Sequence, residues 1–309
     1  MPGRLVVLCP GQGAQHPAMF DMARSAPAAT RLLATWLDDP QLAEPLRAAL
    51  EGRDSFANQV AQPSIVAATL AMWTALADLP APPALVAGYS IGELSAYGVS
   101  GALDPTDVVK LAVERARLMD ACLADGPRQG MVALSGLPRD AIDALLQRFG
   151  FHPAILTGED SLVSGGPAAA REQLADAATA AGGKGTVLPV EVASHTPLLQ
   201  GAVAPFAALL AAQRWSAFAF PVLSGISAEA VDKAARAVAD LPRQIVEPIR
   251  WQACMDTCAE AGATVALELG PGAALSRMLQ ARHPQIACRS VSEFRSLDGI
   301  RSWLGKELE

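Results

Sequence analysis

Short continuous apolar runs alternate with longer stretches of helical spacing along this chain. Leu5–Cys9 and Ala84–Ala87 are uninterrupted and brief, the pattern of strands buried on both faces. Between them lie an Ala/Leu-rich helical region and an uncharged window, residues 55–77, that predicts a helix from Pro63 to Ala77. Asn58, Gln59, Gln62 and Pro63 in that window suit a core helix better than a membrane span. The βαβα rhythm predicts a parallel sheet covered by helices.

Gly126-Pro127-Arg128-Gln129-Gly130 breaks that rhythm. After it come strand-like Met131–Leu134, helical Arg139–Phe149, strand-like Ala154–Thr157 and Ser161–Ser164, a helix over 168–181 and a strand over 186–192. This β-α-β-β-α-β order is the split-βαβ signature of a ferredoxin-like unit. The expected architecture is α/β: an α/β-hydrolase-like, parallel-sheet large domain (1–125 and 194–309) with an inserted ferredoxin-like small domain (126–193). The large domain resumes with an Ala/Leu helix after His195 and a strand over 221–223. A helix starting before Trp251, a strand over 265–269, the turn Gly270-Pro271-Gly272 and a further helix complete it. That turn lacks the Lys-Ser/Thr of a phosphate loop, so tight-turn geometry explains it better.

Gly88-Tyr89-Ser90-Ile91-Gly92-Glu93 carries the strongest chemical signal. A serine between glycines at a strand-to-helix corner fits a nucleophile elbow, with the Ile91 N–H as an oxyanion donor. The bland alternative is a capping box between Ser90 and Glu93. Of four histidines, His195 is expected at a strand's carboxyl end, where open α/β sheets build their sites, with His16 in reserve. In Pro10-Gly11-Gln12-Gly13-Ala14-Gln15, after the first strand, Gln12 or Gln15 can supply an amide donor. Arg115 and Arg117 lie on opposite sides of one helix, so one can face inward and grip a carboxylate in a bidentate fork.

Composition narrows the classes. Hydrophobic residues make up 51% of 309 and charged ones 18%, enough for a sizeable core. A net charge of −7 without a basic stripe argues against nucleic acid as partner. The odd cysteine count, five, fits a reducing compartment, and Cys254 and Cys258 read as thiols on a buried helix stripe, not metal ligands. The apolar start is a first strand and not a signal peptide. A cytoplasmic protein without metal or bound cofactor is expected.

Together these segments resemble the malonyl-CoA:acyl-carrier-protein transacylase family. The likeness also covers Gln62-Pro63-Ser64-Ile65, Arg115-Ala116-Arg117-Leu118-Met119, Ser194-His195, Glu247-Pro248-Ile249-Arg250-Trp251 and Glu268-Leu269-Gly270-Pro271-Gly272. The resemblance implies Ser90 as nucleophile, His195 as base, and Gln12 with the Ile91 amide at the oxyanion. It implies Arg115, rather than Arg117, on the malonyl carboxylate, Gln62 nearby, and the main-chain carbonyl of Arg250 against the histidine. Malonyl-CoA and an acyl carrier protein are the implied partners. Two departures, Tyr89 for histidine and Glu247 for asparagine, are expected to alter the site's rim. Tyr89 and the tail 290–299 look like the epsilon subunit of malonate decarboxylase. That points to the decarboxylase's carrier subunit as acceptor and to its other subunits as partners. The alternatives are a fatty-acid-synthesis malonyl transacylase, a serine esterase or thioesterase of related fold, and a non-catalytic docking scaffold.

Overall fold

The computed structural model describes residues 3–124 and 126–309; residue 125, where the first expected domain boundary falls, lies outside the described residues. Among those described, the strands in chain order are β1 (Leu5–Cys9), β2 (Leu85–Gly88), β3 (Gln129–Ser135), β4 (His152–Leu156) and β5 (Ser161–Pro167). They continue with β6 (Lys184–Leu188), β7 (Val222–Leu223), β8 (Ala230–Val231), β9 (Val265–Glu268) and β10 (Ala287–Ser290). The large sheet has the order β10-β9-β1-β2-β7-β8, parallel except for the antiparallel edge pair β7 and β8. Every residue of β1 is buried, with Leu5, Val7 and Cys9 in one core cluster and Val6 and Leu8 in another. Helices cover both faces of a parallel sheet, so its inner strand carries no polar alternation.

The helix expected from Pro63 begins a turn earlier and runs Asn58–Ala75. Asn58 and Gln59 hold that extra turn by donating to the two Asp120 carboxylate oxygens, each at 2.9 Å. Pro63 is the sixth residue of that helix, past its first turn, so the helix forgoes the one backbone hydrogen bond that Gln59 O would otherwise accept. The extra turn brings Asn58 and Gln62 beside the helix Pro105–Ala121, which carries Arg115. No helix among the described residues is long and apolar enough to cross a membrane.

The small sheet is antiparallel in the order β4-β5-β3-β6, with helices Arg139–Phe149 and Arg171–Ala180 in the two crossovers. Its last strand is Lys184–Leu188, earlier than the 186–192 expected. His195 therefore does not follow a strand directly, and β6 belongs to the small sheet instead of the parallel one. Irregular chain carries His195 back to the large domain. Its N–H donates to Ile245 O at 2.8 Å, and Gln129 Oε1 on β3 accepts from Ala193 N at 3.0 Å. β4 also reaches the large domain, through Ile249 N to Ala154 O (2.9 Å) and Leu156 N to Ile249 O (2.8 Å). The helix Ala234–Gln244, absent from the sequence expectations, buries Ala237, Asp240, Leu241 and Gln244 on one face.

Candidate active site

The site forms at the carboxyl ends of β1 and β2. Ser90 follows β2 with φ of 56°, in the left-handed region that side chains seldom occupy. The flanking glycines make that corner possible. A Cβ on Gly88 would lie 2.2 Å from Glu93 N, and one on Gly92 would lie 2.1 Å from Cys9 O. The turn thus packs directly onto β1 and turns the Ser90 hydroxyl outward. His195 is also left-handed, with φ of 64°. Two strained residues meeting at one point mark a geometry enforced by its surroundings.

Ser90 Oγ lies 2.8 Å from His195 Nε2, and His195 Nδ1 lies 2.5 Å from the main-chain carbonyl of Gln244. A carbonyl can only accept, so Nδ1 carries the proton and Nε2 offers its lone pair to the Ser90 hydroxyl. Burial, with the Arg115 guanidinium second, pushes the His195 pKa down to about 3. The imidazole is neutral at physiological pH and able to take a proton from Ser90.

The Arg250 carbonyl is not the histidine's partner. It accepts from Cys254 N at 2.9 Å, inside the first turn of the helix Trp251–Glu260. Gln244 ends its own helix, where carbonyls lack an intrahelical donor, and so is free to hold His195. Buried positions 237, 241 and 244 in that segment are the amphipathic signal that could have exposed it.

Arg115 is buried and faces the site, whereas Arg117 pairs with Glu114 at the surface. Arg115 Nη1 donates to Gln62 Oε1 at 2.7 Å and Nη2 to Gln244 Oε1 at 3.1 Å. Among the described residues no carboxylate lies within 4.0 Å of the guanidinium. Burial lowers its pKa to about 10, which leaves it charged at neutral pH. Gln62 is in turn fixed by Asn58 Oδ1 at 2.6 Å, and Gln12 Nε2 reaches the same oxygen at 3.4 Å. Sequence reasoning missed Asn58, whose role depends on a helix start the proline obscured.

Gln15 braces its loop: Oε1 accepts from Gly13 N at 2.7 Å and Nε2 donates to Ser55 O at 2.9 Å. The main-chain N–H groups of Gln12 and Ile91 have no hydrogen-bond acceptor among the described residues. Ser90 and Glu93 form no side-chain cap; the Glu93 carboxylate turns inward to Gly225 N (3.0 Å) and Gln244 Nε2 (2.7 Å).

Neither departure alters the Ser90–His195 pair. The Tyr89 ring packs edge-on against Trp251 at 5.2 Å between centroids, and Glu247 forms a two-pronged pair with Arg243 (2.7 and 2.9 Å). The tail that starts at the end of β10 is also explained by packing. Ser290 and Glu293 form a capping box, and Phe294 lies between Arg289 and Trp303. Gly270 backs the Gln12 loop, since a Cβ there would stand 2.1 Å from Pro10 Cγ.

Comparison with known proteins finds relatives along nearly the whole chain. The acyl transferase domain model matches residues 6–295. The malonyl CoA-acyl carrier protein transacylase of Mycobacterium tuberculosis is 31% identical over 301 residues, 96% of this chain and 99% of its own. The structure of the malonyl CoA-acyl carrier protein transacylase from Coxiella burnetii superposes with a TM-score of 0.90 at 25% identity, over 100% of this chain and 99% of its own. A malonyl-transacylase solved in complex with a type II polyketide acyl-carrier protein gives 0.88 at 26% identity, over 97% and 99%. With the family model running from the first strand to beyond the last, this chain belongs to the acyl transferase domain family.

Proposed function

We propose that this protein moves a malonyl group from malonyl-CoA, through an ester on Ser90, to the thiol of an acyl carrier protein. One observation carries the reading: a buried arginine held only by neutral amide oxygens stands beside a paired serine and histidine. A buried cation with no carboxylate of its own is a receptor for one brought by the substrate. As Ser90 Oγ attacks the thioester carbon, its proton passes to His195 Nε2, and the developing oxyanion faces the N–H groups of Ile91 and Gln12. The C–S bond breaks, and the CoA sulfur takes the proton from His195. In the second half the carrier thiol gives its proton to His195, attacks the ester and restores the Ser90 hydroxyl.

Two observations weigh against the esterase reading. The Nδ1 partner is a carbonyl, not the buried carboxylate that a hydrolase triad uses to stabilise imidazolium. Asp160, an acid that lies between Ser90 and His195 in chain order, is exposed in the small domain. The docking-scaffold reading leaves two strained residues and a buried arginine without a purpose.

The relatives support a biosynthetic acceptor better than the decarboxylase carrier expected from Tyr89 and the tail. They are named for acyl carrier protein, and those two features have local packing roles here. Equal concentrations of a fatty-acid-synthesis carrier and a malonate decarboxylase carrier, competing for malonyl transfer, should favour the former. Preference for the decarboxylase carrier would restore the narrower expectation.

The neutral His195 has a kinetic consequence. Acetylation of Ser90 from acetyl-CoA should hold its rate from about pH 8 to about pH 5, because no imidazole with an ordinary pKa near 6.5 protonates in that range. An acid limb near pH 6.5 would mean that His195 is solvated before it acts.

A further inference from the structure

Glu93 is fully buried, yet no step of the transfer touches it. Its Oε2 accepts from Gly225 N and Gln244 Nε2, while Oε1 has no partner. Burial pushes its pKa up to about 7. A half-satisfied buried carboxylate is a costly way to fill space, and an apolar residue would pack there at less expense.

Gln244 shows what the carboxylate achieves. The amide NH2 of Gln244 donates to Ser90 O at 2.9 Å and to Glu93 Oε2 at 2.7 Å, and its Oε1 accepts from Arg115 Nη2 at 3.1 Å. A carboxylate and a carbonyl only accept and a guanidinium only donates, so a single amide orientation satisfies all three neighbours. With the amide reversed, its NH2 would face the guanidinium and its oxygen would face two acceptors. Arg115 would then keep only the Gln62 oxygen to aim it. Glu93 also balances the Arg115 charge at one remove, leaving the guanidinium itself open to a ligand.

We infer that Glu93 is a positioning residue for acyl-group choice, acting through the Gln244 side-chain amide to aim Arg115 at the substrate's free carboxylate. This rests on the malonyl-transfer reading above. Gln244 thereby joins both halves of the site, its main chain holding His195 and its side chain holding Arg115.

The test compares kcat/KM for malonyl-CoA and acetyl-CoA, with one carrier as acceptor, in the wild type, Glu93→Gln, Gln244→Ala and the double variant. Glutamine at 93 keeps the shape, with its oxygen held toward Gly225 N and Gln244 Nε2 and its NH2 where Oε1 has no partner. It carries no charge, so its hold on the Gln244 amide weakens and the balance to the Arg115 charge is lost. Gln244→Ala keeps the main-chain carbonyl and removes the amide. Glu93→Gln should lower the malonyl-to-acetyl ratio about tenfold or more, with most of the change in KM for malonyl-CoA. The double variant should show the ratio of Gln244→Ala alone, since two changes on one path do not add. Equal losses for both acyl groups in Glu93→Gln, or losses that multiply in the double variant, would overturn the inference. Should Glu93→Gln fail to fold, an unaltered ratio in Gln244→Ala would overturn it as well. A wild type with no malonyl preference would sink the transfer reading too, whereas an intact preference that Glu93→Gln leaves unchanged would sink this inference alone.

Discussion

Mixed with malonyl-CoA and no acceptor, the protein should gain the mass of one malonyl group on the peptide holding Ser90, and Ser90→Ala should gain none. The hydroxyl is 2.8 Å from a neutral imidazole whose other nitrogen is held by a carbonyl, so the general base is already in place before substrate arrives. Removing a nucleophile from such a unit costs on the order of 10⁴-fold or more in rate, because the rest of the unit has nothing to activate. Intact-protein mass spectrometry followed by peptide mapping reads the result. A malonyl adduct persisting in Ser90→Ala would assign the nucleophile elsewhere.

Arg115→Ala should lower kcat/KM for malonyl transfer by roughly 2–5 kcal/mol, the usual scale for leaving one member of a buried charged pair unpartnered. At 1.4 kcal/mol per factor of ten, that is a loss of about 30-fold to several thousand-fold. Acetyl transfer should suffer less, because the acetyl group brings no carboxylate to the pocket. Arg115→Lys should recover only part of the loss, since an ammonium cannot take up the planar fork held by Gln62 and Gln244. Equal losses for both acyl groups would make Arg115 structural. Arg117 is paired with Glu114 at the surface, and Arg117→Ala serves as the control expected to change neither rate.

Much of this was legible along the chain, and for identifiable reasons. Apolar runs without alternation announced a sheet covered on both faces, and β1 is buried at every residue. The order of strands and helices after the 126–130 break was enough for the small sheet, since a split βαβ unit has few ways to close. Ser90 was marked by glycines that local sterics require, and its neighbours confirm how tight the corner is. These are local features, written in residues adjacent in sequence.

What the sequence could not reveal depends on groups brought together from far apart. The partner of His195 is a main-chain carbonyl, which has no sequence signature; it became available only because a helix ends at Gln244, beyond the reach of motif spacing. That Arg115 rather than Arg117 points inward is a matter of which helix face meets Asn58–Ala75, and family resemblance alone had separated the two. Glu93 read locally as half of a capping box, but tertiary packing offered it Gly225 N and the Gln244 amide, and the carboxylate turned inward. The amino-acid order determined the sheets, the elbow and the kinds of chemistry present. Only the folded chain decided which carbonyl holds the histidine and which amide aims the arginine, because those choices are made by groups on separate elements competing for the same few hydrogen bonds.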